Sequence, residues 1–394
     1  MRIGVFDYRI IRTNPIGSCH LALLRGLAAE HQFTVFAVQF ENPHPDKIRW
    51  VRVPAPTRPL ALLFLAFHLL APFYYLLYRL RGGRPFDVIQ TVESNLSFGG
   101  IFYAHFCHRA YLKKHWRISG ARGLRGALRW LDHRLHAWVE RLVYPRAGLI
   151  VCPSRGLARE LAEEYPAIGG KLTVVPNPID LQRLARPEEF DRQAFRRGHG
   201  LSGGDFVLLF VALGQFERKG LPLLLTALEC AELERMKLLV VGGERDLIER
   251  YRKDAVRRGL QGRVRFEGMQ TDVRPYFWSA DAFVFPSLYE TFSLVTYEAA
   301  ACGLPIVVSR LHGVEDLLRD GDNGFLTATS SAGVREALGR LARLTPAEAE
   351  AMGQRARAAA AGCAEEDFLR MWRRIYEGFR ISQQNRSPDR IRKR

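Results

Sequence analysis

A chain of 394 residues, 47% hydrophobic and 25% charged, is too apolar for a disordered protein and too long for one small core, so two domains of ordinary size are expected. Its 58 Lys plus Arg against 41 Asp plus Glu leave a net charge of +17, which suits nucleic acid, anionic lipid or phosphorylated small molecules without choosing among them. The six cysteines lie far apart, with no C-x-x-C pair, which argues against a disulfide framework and for buried thiols.

Met1 runs directly into a strand-like RIGVFDY with no charged-then-apolar leader, so a cytoplasmic protein is expected. Short apolar or β-branched runs then alternate with longer helical stretches, the pattern of a doubly wound parallel sheet. Strands are predicted at Arg2 to Tyr8, Phe33 to Gln39, Ile48 to Pro54, Asp87 to Val92, Phe102 to Cys107, Gly148 to Ser154 and Leu172 to Pro176. Between the third and fourth of these, Leu60 to Tyr78 is almost wholly apolar. Its length permits a membrane span, but a parallel sheet needs a crossover helix at this point, which favours a helix buried or dipping into a surface. Arg109 to Arg146 interleaves basic residues with Trp116, Trp130, Trp138 and several Leu, a mixture that suits either a membrane interface or a solvated basic face.

After Asn177-Pro178 a polar, Arg-rich stretch ends at Ser202-Gly203-Gly204 and reads as an interdomain linker. A second array follows, with strands predicted at Phe206 to Ala212, Lys237 to Gly243, Arg263 to Met269, Ala282 to Ser287, Pro305 to Ser309 and Gly324 to Thr327. From about Ser331 to Ile381, Ala, Arg, Leu and Glu predominate and predict consecutive helices, before a polar, basic and unstructured tail at 382–394. The expected organisation is therefore 1–178, 205–365, a helix at 366–381, and the tail.

The stretch FVFPSLYETFSLVTYEAAACGLPIVVS reads as strand, loop, helix and strand, with Glu290 before the helix and Glu298 within it. In an open α/β sheet, loops at the carboxyl ends of strands carry the ligand, which puts Glu290 at the site. A helix starting near Phe292 would offer the amides after Glu290 and Thr291, those of Phe292, Ser293, Leu294 and Val295, to an anion such as phosphate. Eight helical residues advance about 12 Å, beyond the roughly 5–9.5 Å between paired glycosidase carboxylates, so the two glutamates are not an acid–base pair. Each more plausibly accepts hydroxyls at a different end of one elongated ligand, a sugar at Glu290 and a ribose at Glu298. Upstream, ALGQFERKGLPLLL ends a strand at Gly214, passes Gln215, and places Arg218 and Lys219 where a helix begins, so fixed cations neighbour the anion site. Gly242, Gly243 and the backbone from Gly268 through Met269 to Gln270 end further strands on the same side and are candidates for contact with the nucleotide. In the first half, Gly17 and Ser18 follow the first strand, and His105 and His108 flank the end of the FYAHFCHRAY strand, where an imidazole could take a proton or hydrogen-bond a sugar.

These residues resemble the retaining glycosyltransferases of family 4, the "glycosyl transferases group 1", and in pattern the lipopolysaccharide-core glucosyltransferases among them. Glu290 and Glu298 match their E-x7-E signature, and the resemblance extends through ACGLPIVVS, PSLYETF, GDNGFL at Gly321 to Leu326, and LTVVPNPID. It implies a GT-B fold of two Rossmann-like, doubly wound parallel-sheet domains facing across a cleft, with an acceptor domain first, a donor domain second, and a last helix returning to the first. It also implies Lys219 as the diphosphate-binding lysine. The family often has an arginine where Gln215 stands, so either Arg218 supplies the second cation, as in the lipopolysaccharide-core subgroup, or phosphate binding is weaker, and of the usual glycine pair after the first strand only Gly17 remains. The D-x-D metal motif of the other transferase fold is absent, so no metal and no cofactor are expected; a nucleoside diphosphate sugar is the donor substrate.

The expected activity is transfer of a hexose or related sugar to a hydroxyl of a cell-envelope, lipid-linked or polysaccharide acceptor. Apolar and basic segments within 60–146 suggest work at an anionic surface, peripheral on the inner face of the cytoplasmic membrane. Three rivals stand beside this reading: a noncatalytic nucleotide-sugar sensor, a nucleotide-sugar epimerase of the same architecture, and a nucleic-acid-binding protein. The last lacks any helix-turn-helix, zinc-finger or RNA-binding signature, so no nucleic-acid partner is expected.

Overall fold

The computed structural model describes residues 1–119 and 123–386, and these form two compact units. The first holds Met1–Trp116, 123–178 and 365–386; the second holds 117–119 and Ile179–Ala364.

In the first unit, β1 (Arg2–Ile10), β2 (Gln32–Phe40), β3 (Arg49–Arg52), β4 (Val88–Val92), β5 (Ile101–Tyr103), β6 (Leu149–Cys152) and β7 (Leu172–Val174) form a seven-stranded sheet in the order β3-β2-β1-β4-β5-β6-β7. Every pairing is parallel. The second unit repeats the plan with β8 (Phe206–Val211), β9 (Met236–Val241), β10 (Val264–Gly268), β11 (Ala282–Phe285), β12 (Ile306–Ser309) and β13 (Gly324–Thr327), ordered β10-β9-β8-β11-β12-β13 and again all parallel. Helices cover both faces, so central strands bury every side chain and read as unbroken apolar runs rather than alternating ones. Val207 to Phe210 and Ala282 to Phe285 are all essentially inaccessible. Chain order reverses between β1 and β4 in one sheet and between β8 and β11 in the other, and such switch points open a crevice at the strands' carboxyl ends.

The apolar stretch forms the helix Leu60–Leu80, the crossover between β3 and β4. Its buried stripe of Leu63, Phe64, Phe67 and Ala71 follows helical spacing, and Phe67 meets Tyr8 of β1 edge-on at 4.9 Å. The opposite side leaves Leu62, Leu65, Leu69, Phe73 and Leu76 exposed.

Two boundaries differ from the sequence expectation. The stretch 179–204 is no free linker: it packs into the second unit as the helices Leu181–Leu184 and Arg192–Gly198. There Arg192 and Arg196 grip Asp281 at 2.5 and 2.7 Å, so the arginines that suggested a solvated connection are structural clamps. The last helix, Glu365–Arg386, extends through Ser382 to Arg386 where a tail was expected, and 387–394 lie outside the described residues. This helix belongs to the first unit, where Trp372 is completely buried and the Tyr376 hydroxyl donates to Gln90 at 2.6 Å. Its exposed ion pairs, Arg25–Glu365 and Arg373–Glu30, add little beside a buried tryptophan, whose truncation typically costs about 3–5 kcal/mol.

Candidate functional site

Because β8 and β11 are adjacent and parallel, the loops leaving their carboxyl ends must meet. Leu288 N–H donates to the carbonyl of Arg218 at 2.8 Å, and Arg218 donates back to the carbonyl of Tyr289 at 2.6 Å. Gly220, with φ +81°, caps the helix Leu221–Leu228 at this junction; a Cβ there would stand 2.0 Å from the carbonyl oxygen of Pro286, so only glycine lets the loops close.

This junction brings three charged side chains together. Lys219 Nζ lies 2.5 Å from Glu290 Oε1, Arg218 Nη1 lies 3.7 Å from the same oxygen, and Ser287 Oγ donates to it at 2.8 Å. Lys219 also sits 5.3 Å above the ring of Phe285, and Gln215 accepts from Arg218 Nε at 2.8 Å. Lys219, Arg218 and Glu290 are each only 12–17% exposed at the side chain. Burial alone would raise the Glu290 carboxyl, but Lys219, Arg218 and the Ser287 hydroxyl outweigh it and hold the group below its ordinary value, ionised. Burial draws the Lys219 ammonium down, with Glu290 opposing. Two cations around one carboxylate leave an excess positive charge at the crevice edge.

The helix after Glu290 spans Leu294–Ala301, two residues later than the sequence suggests. Ser293 takes a left-handed conformation with φ 60°, and its hydroxyl pairs with that of Thr296 at 2.7 Å. The backbone therefore turns between Thr291 and Ser293, and the first helical amides are those of Leu294 and Val295; Thr296 N–H is taken by the Ser293 carbonyl at 3.0 Å. Phe292 is outside the helix, buried and stacked on Tyr297 at 4.5 Å. Glu298, on the fifth helical residue, is half-buried, and no side-chain hydrogen bond engages its carboxylate among the described residues. Burial pushes it up to about 7, with Arg183 opposing.

Gly214 is half-buried with open space where a Cβ would sit, and Gln215 beside it has a positive φ of 55°. Gly242 and Gly243 follow β9, the second packed against Phe216, and Met269, just past β10, is 55% exposed.

The first unit places its candidates separately. Gly17 is not in a loop: it lies in the first turn of the helix Pro15–Leu27, and a Cβ on it would stand 2.5 Å from the carbonyl oxygen of Arg9. Its amide donates to the Asn14 side chain, which caps the helix and also takes the amide of Ile16, both at 3.0 Å. Gly17 thus permits close packing of helix on strand rather than offering a free donor. The Ser18 hydroxyl donates to the carbonyl of Pro15 at 2.8 Å. His105 lies two residues beyond β5, buried against Tyr103 at 4.1 Å, and neither ring nitrogen has a hydrogen-bond partner. Burial lowers it to about 4, so it is a neutral imidazole near pH 7. His108 begins a short helix and belongs to another cluster, facing His133 at 2.9 Å and Glu93 at 3.5 Å.

Sequence reasoning missed Ser287 and Arg183 in the second unit, since neither stands in a spacing that points to it. It also missed a buried relay in the first, where His20 lies 3.3 Å from Asp7 and 2.9 Å from Gln90. Asp7 and Gln90 interrupt otherwise apolar strands, a signal that was available.

Two family models match the chain, "Glycosyltransferase Family 4" over 18–183 and "Glycosyl transferases group 1" over 205–343. An uncharacterized glycosyltransferase of Methanocaldococcus jannaschii is 26% identical over 75% of this chain and 76% of its own length. The lipopolysaccharide core biosynthesis glycosyltransferase LpsE of Rhizobium meliloti is 37% identical over 31% of this chain and 35% of its own length. D-inositol 3-phosphate glycosyltransferase 2 of Catenulispora acidiphila is 34% identical over 52% and 51%, so the chain matches about half or less of these last two. Among solved structures, WaaG, a glycosyltransferase involved in lipopolysaccharide biosynthesis, superposes with a TM-score of 0.74 at 18% identity, covering 91% of this chain and 95% of its own. Anabaena HepE in complex with UDP and glucose superposes with a TM-score of 0.72 at 17% identity, covering 96% and 100%. With two all-parallel, doubly wound sheets and both domain models matched in order, the chain belongs to the GT-B glycosyltransferases, a family 4 domain followed by a group 1 domain.

Proposed function

We propose that this glycosyltransferase is a retaining, metal-independent hexosyltransferase that moves a sugar from a nucleoside diphosphate sugar to a hydroxyl of a cell-envelope, lipid-linked or polysaccharide acceptor. The observation that carries the reading is the buried triad of Lys219, Arg218 and Glu290 at the switch point of the second sheet. In the reaction the bond from the anomeric carbon to the diphosphate breaks while one to the acceptor oxygen forms, and the acceptor's hydroxyl proton is taken up by the departing diphosphate. Negative charge therefore grows on the leaving diphosphate, where Lys219, Arg218 and the amides of Leu294 and Val295 can stabilise it. A diphosphate drawn to Lys219 competes with Glu290 for its ammonium, freeing that carboxylate for sugar hydroxyls, while Glu298 accepts from the ribose. From the first unit, His105 is neutral and unpaired, a form suited to hydrogen-bonding the sugar or the acceptor hydroxyl. The HepE complex with UDP and glucose and the lipopolysaccharide-related names of WaaG and LpsE support this choice of donor and acceptor class.

A panel of nucleoside diphosphate sugars, followed by thermal shift and by product analysis with polysaccharide and lipid-linked acceptors, tests the reading. One donor should raise the melting temperature and yield free nucleoside diphosphate together with a glycosylated acceptor. Binding without product would leave a sensor, and a donor isomerised with its diphosphate intact would make the protein an epimerase.

The same reading places the protein at an anionic membrane surface. Helix Leu60–Leu80 has a mean hydropathy of 2.0 and exposes Leu65, Leu69 and Phe73, and helix Gly123–Val143, packed against it through Phe64 and His136, exposes Leu128, Trp130 and Trp138 among its arginines. Leucines and tryptophans enter the interface while arginines meet lipid phosphates. Leu69→Glu combined with Trp138→Glu should abolish sedimentation with vesicles containing phosphatidylglycerol, and wild-type binding should weaken sharply when salt rises. Equal binding to neutral vesicles at all salt concentrations contradicts this placement.

A further inference from the structure

Buried polar groups in the first unit gather around His108, three residues beyond His105. Glu93 follows β4, His108 starts the short helix after β5, and Asp132, His133 and His136 come from helix Gly123–Val143. A ligand atom from each of Glu93, His108 and His136 lies within 4.8 Å of the others. Their side chains are only 8–12% exposed, as is that of Asp132, whose Oδ1 stands 3.8 Å from His136 Nε2. Three of these buried atoms, His108 Nε2, His136 Nδ1 and Asp132 Oδ1, have no hydrogen-bond partner, although buried polar groups as a rule are paired. Glu93 holds its position with φ 45°, a conformation unusual for a residue that is not glycine.

We propose that Glu93, His108 and His136, with Asp132 alongside, bind one divalent transition metal ion of the zinc type, which fastens helix Gly123–Val143 to the carboxyl edge of the first sheet. Two imidazoles and a carboxylate are the ligands that borderline ions such as zinc prefer over magnesium or calcium. The surroundings suit ligation. Glu140 accepts the backbone amide of His108 at 2.9 Å and the Tyr165 hydroxyl at 2.7 Å, fixing where His108 stands. His108 Nδ1 and His133 Nδ1 face each other at 2.9 Å, so one carries the shared proton; when His108 donates it, Nε2 presents its lone pair toward Glu93. The rings of His108 and His136 lie parallel, 4.2 Å apart, so seating the ion turns one imidazole about χ2 until both lone pairs converge. Carboxylates of Glu93 and Asp132 supply the negative charge that a buried dication requires. Nothing in this assignment depends on the sugar donor.

Cobalt(II) is the probe, because its visible d–d absorption reports a site of nitrogen and oxygen ligands directly. Full-length protein stripped with chelator and titrated with cobalt should saturate at one ion per chain, and zinc should displace it and raise the melting temperature. His136→Gln and Glu93→Gln should weaken binding on the order of 100-fold, whereas His44→Gln, in the loop after β2 and outside this cluster, should not. Far-UV circular dichroism of the stripped variants separates lost ligation from lost folding. If wild-type protein shows no stoichiometric cobalt absorption, or if both ligand variants retain it, the assignment is overturned whatever the variants do to stability.

Discussion

Lys219→Met is expected to reduce sugar transfer by roughly 10² to 10³-fold at saturating donor, because a preorganised cation facing the leaving group acts most strongly as charge develops there. Donor affinity should fall as well, since the same ammonium meets the ground-state diphosphate. Stability responds through a different residue. Removing Lys219 leaves Glu290 buried with Arg218 at 3.7 Å as its remaining cation, and stranding one partner of a buried pair costs on the order of 3 kcal/mol, less whatever Arg218 recovers. The double variant Lys219→Met with Glu290→Gln removes the stranded charge, so it should recover most of the lost melting temperature and none of the activity. Steady-state rates and thermal unfolding of the three variants give both readouts. A Lys219→Met enzyme retaining more than about a tenth of wild-type turnover would show that the leaving group is stabilised elsewhere.

The loops that make this pair were legible in the sequence, whereas the pair was not. Parallel strands buried on both faces appear as runs such as VLLF and AFVF, and their ends mark where ligand loops begin, so Lys219 and Glu290 could each be placed at a strand's carboxyl edge. Their contact spans 71 residues and depends on β8 lying beside β11, which periodicity along the chain does not encode. The later helix start has a backbone cause: Ser293 adopts a left-handed turn that serine does not favour, beside the stacking of Phe292 on Tyr297 and its own hydroxyl contact with Thr296. At Gly17 the information was present. Asn14 before Pro15 is the pattern of a helix cap followed by a first-turn proline, which puts Gly17 inside the helix with its amide already engaged. The arginines of 179–204 misled in the opposite direction, since a charged stretch reads as solvated until its acid, Asp281, is seen 85 to 89 residues away.

Glu298 predicts a pH dependence with a definite sign. Burial raises its carboxyl to about 7, with Arg183 opposing, so in the donor-free protein the protonated form is favoured below about pH 7, and ionisation above that places a charge where no side-chain hydrogen bond engages the carboxylate among the described residues. Stability from this group is fully present below the ordinary carboxylate value and is lost as pH rises through about 7, on the order of 3 kcal/mol across that window. Glu298→Gln should therefore melt higher than wild type at about pH 8 and nearly together with it at about pH 5. Donor binding runs the other way. Ribose hydroxyls supply the donors that an ionised carboxylate lacks, and hydrogen bonds to a charged acceptor contribute about 1.5–3 kcal/mol, so donor affinity should strengthen by roughly 10-fold or more as pH rises through about 7. In Glu298→Gln that rise should flatten, and the stability gain at high pH should be accompanied by weaker donor binding. Calorimetric titration of donor across pH, beside donor-free melting curves, reads both effects. A donor affinity independent of pH in wild type, or a slope unchanged by the glutamine, would remove Glu298 from the ribose and leave its raised carboxyl as a property of the helix alone.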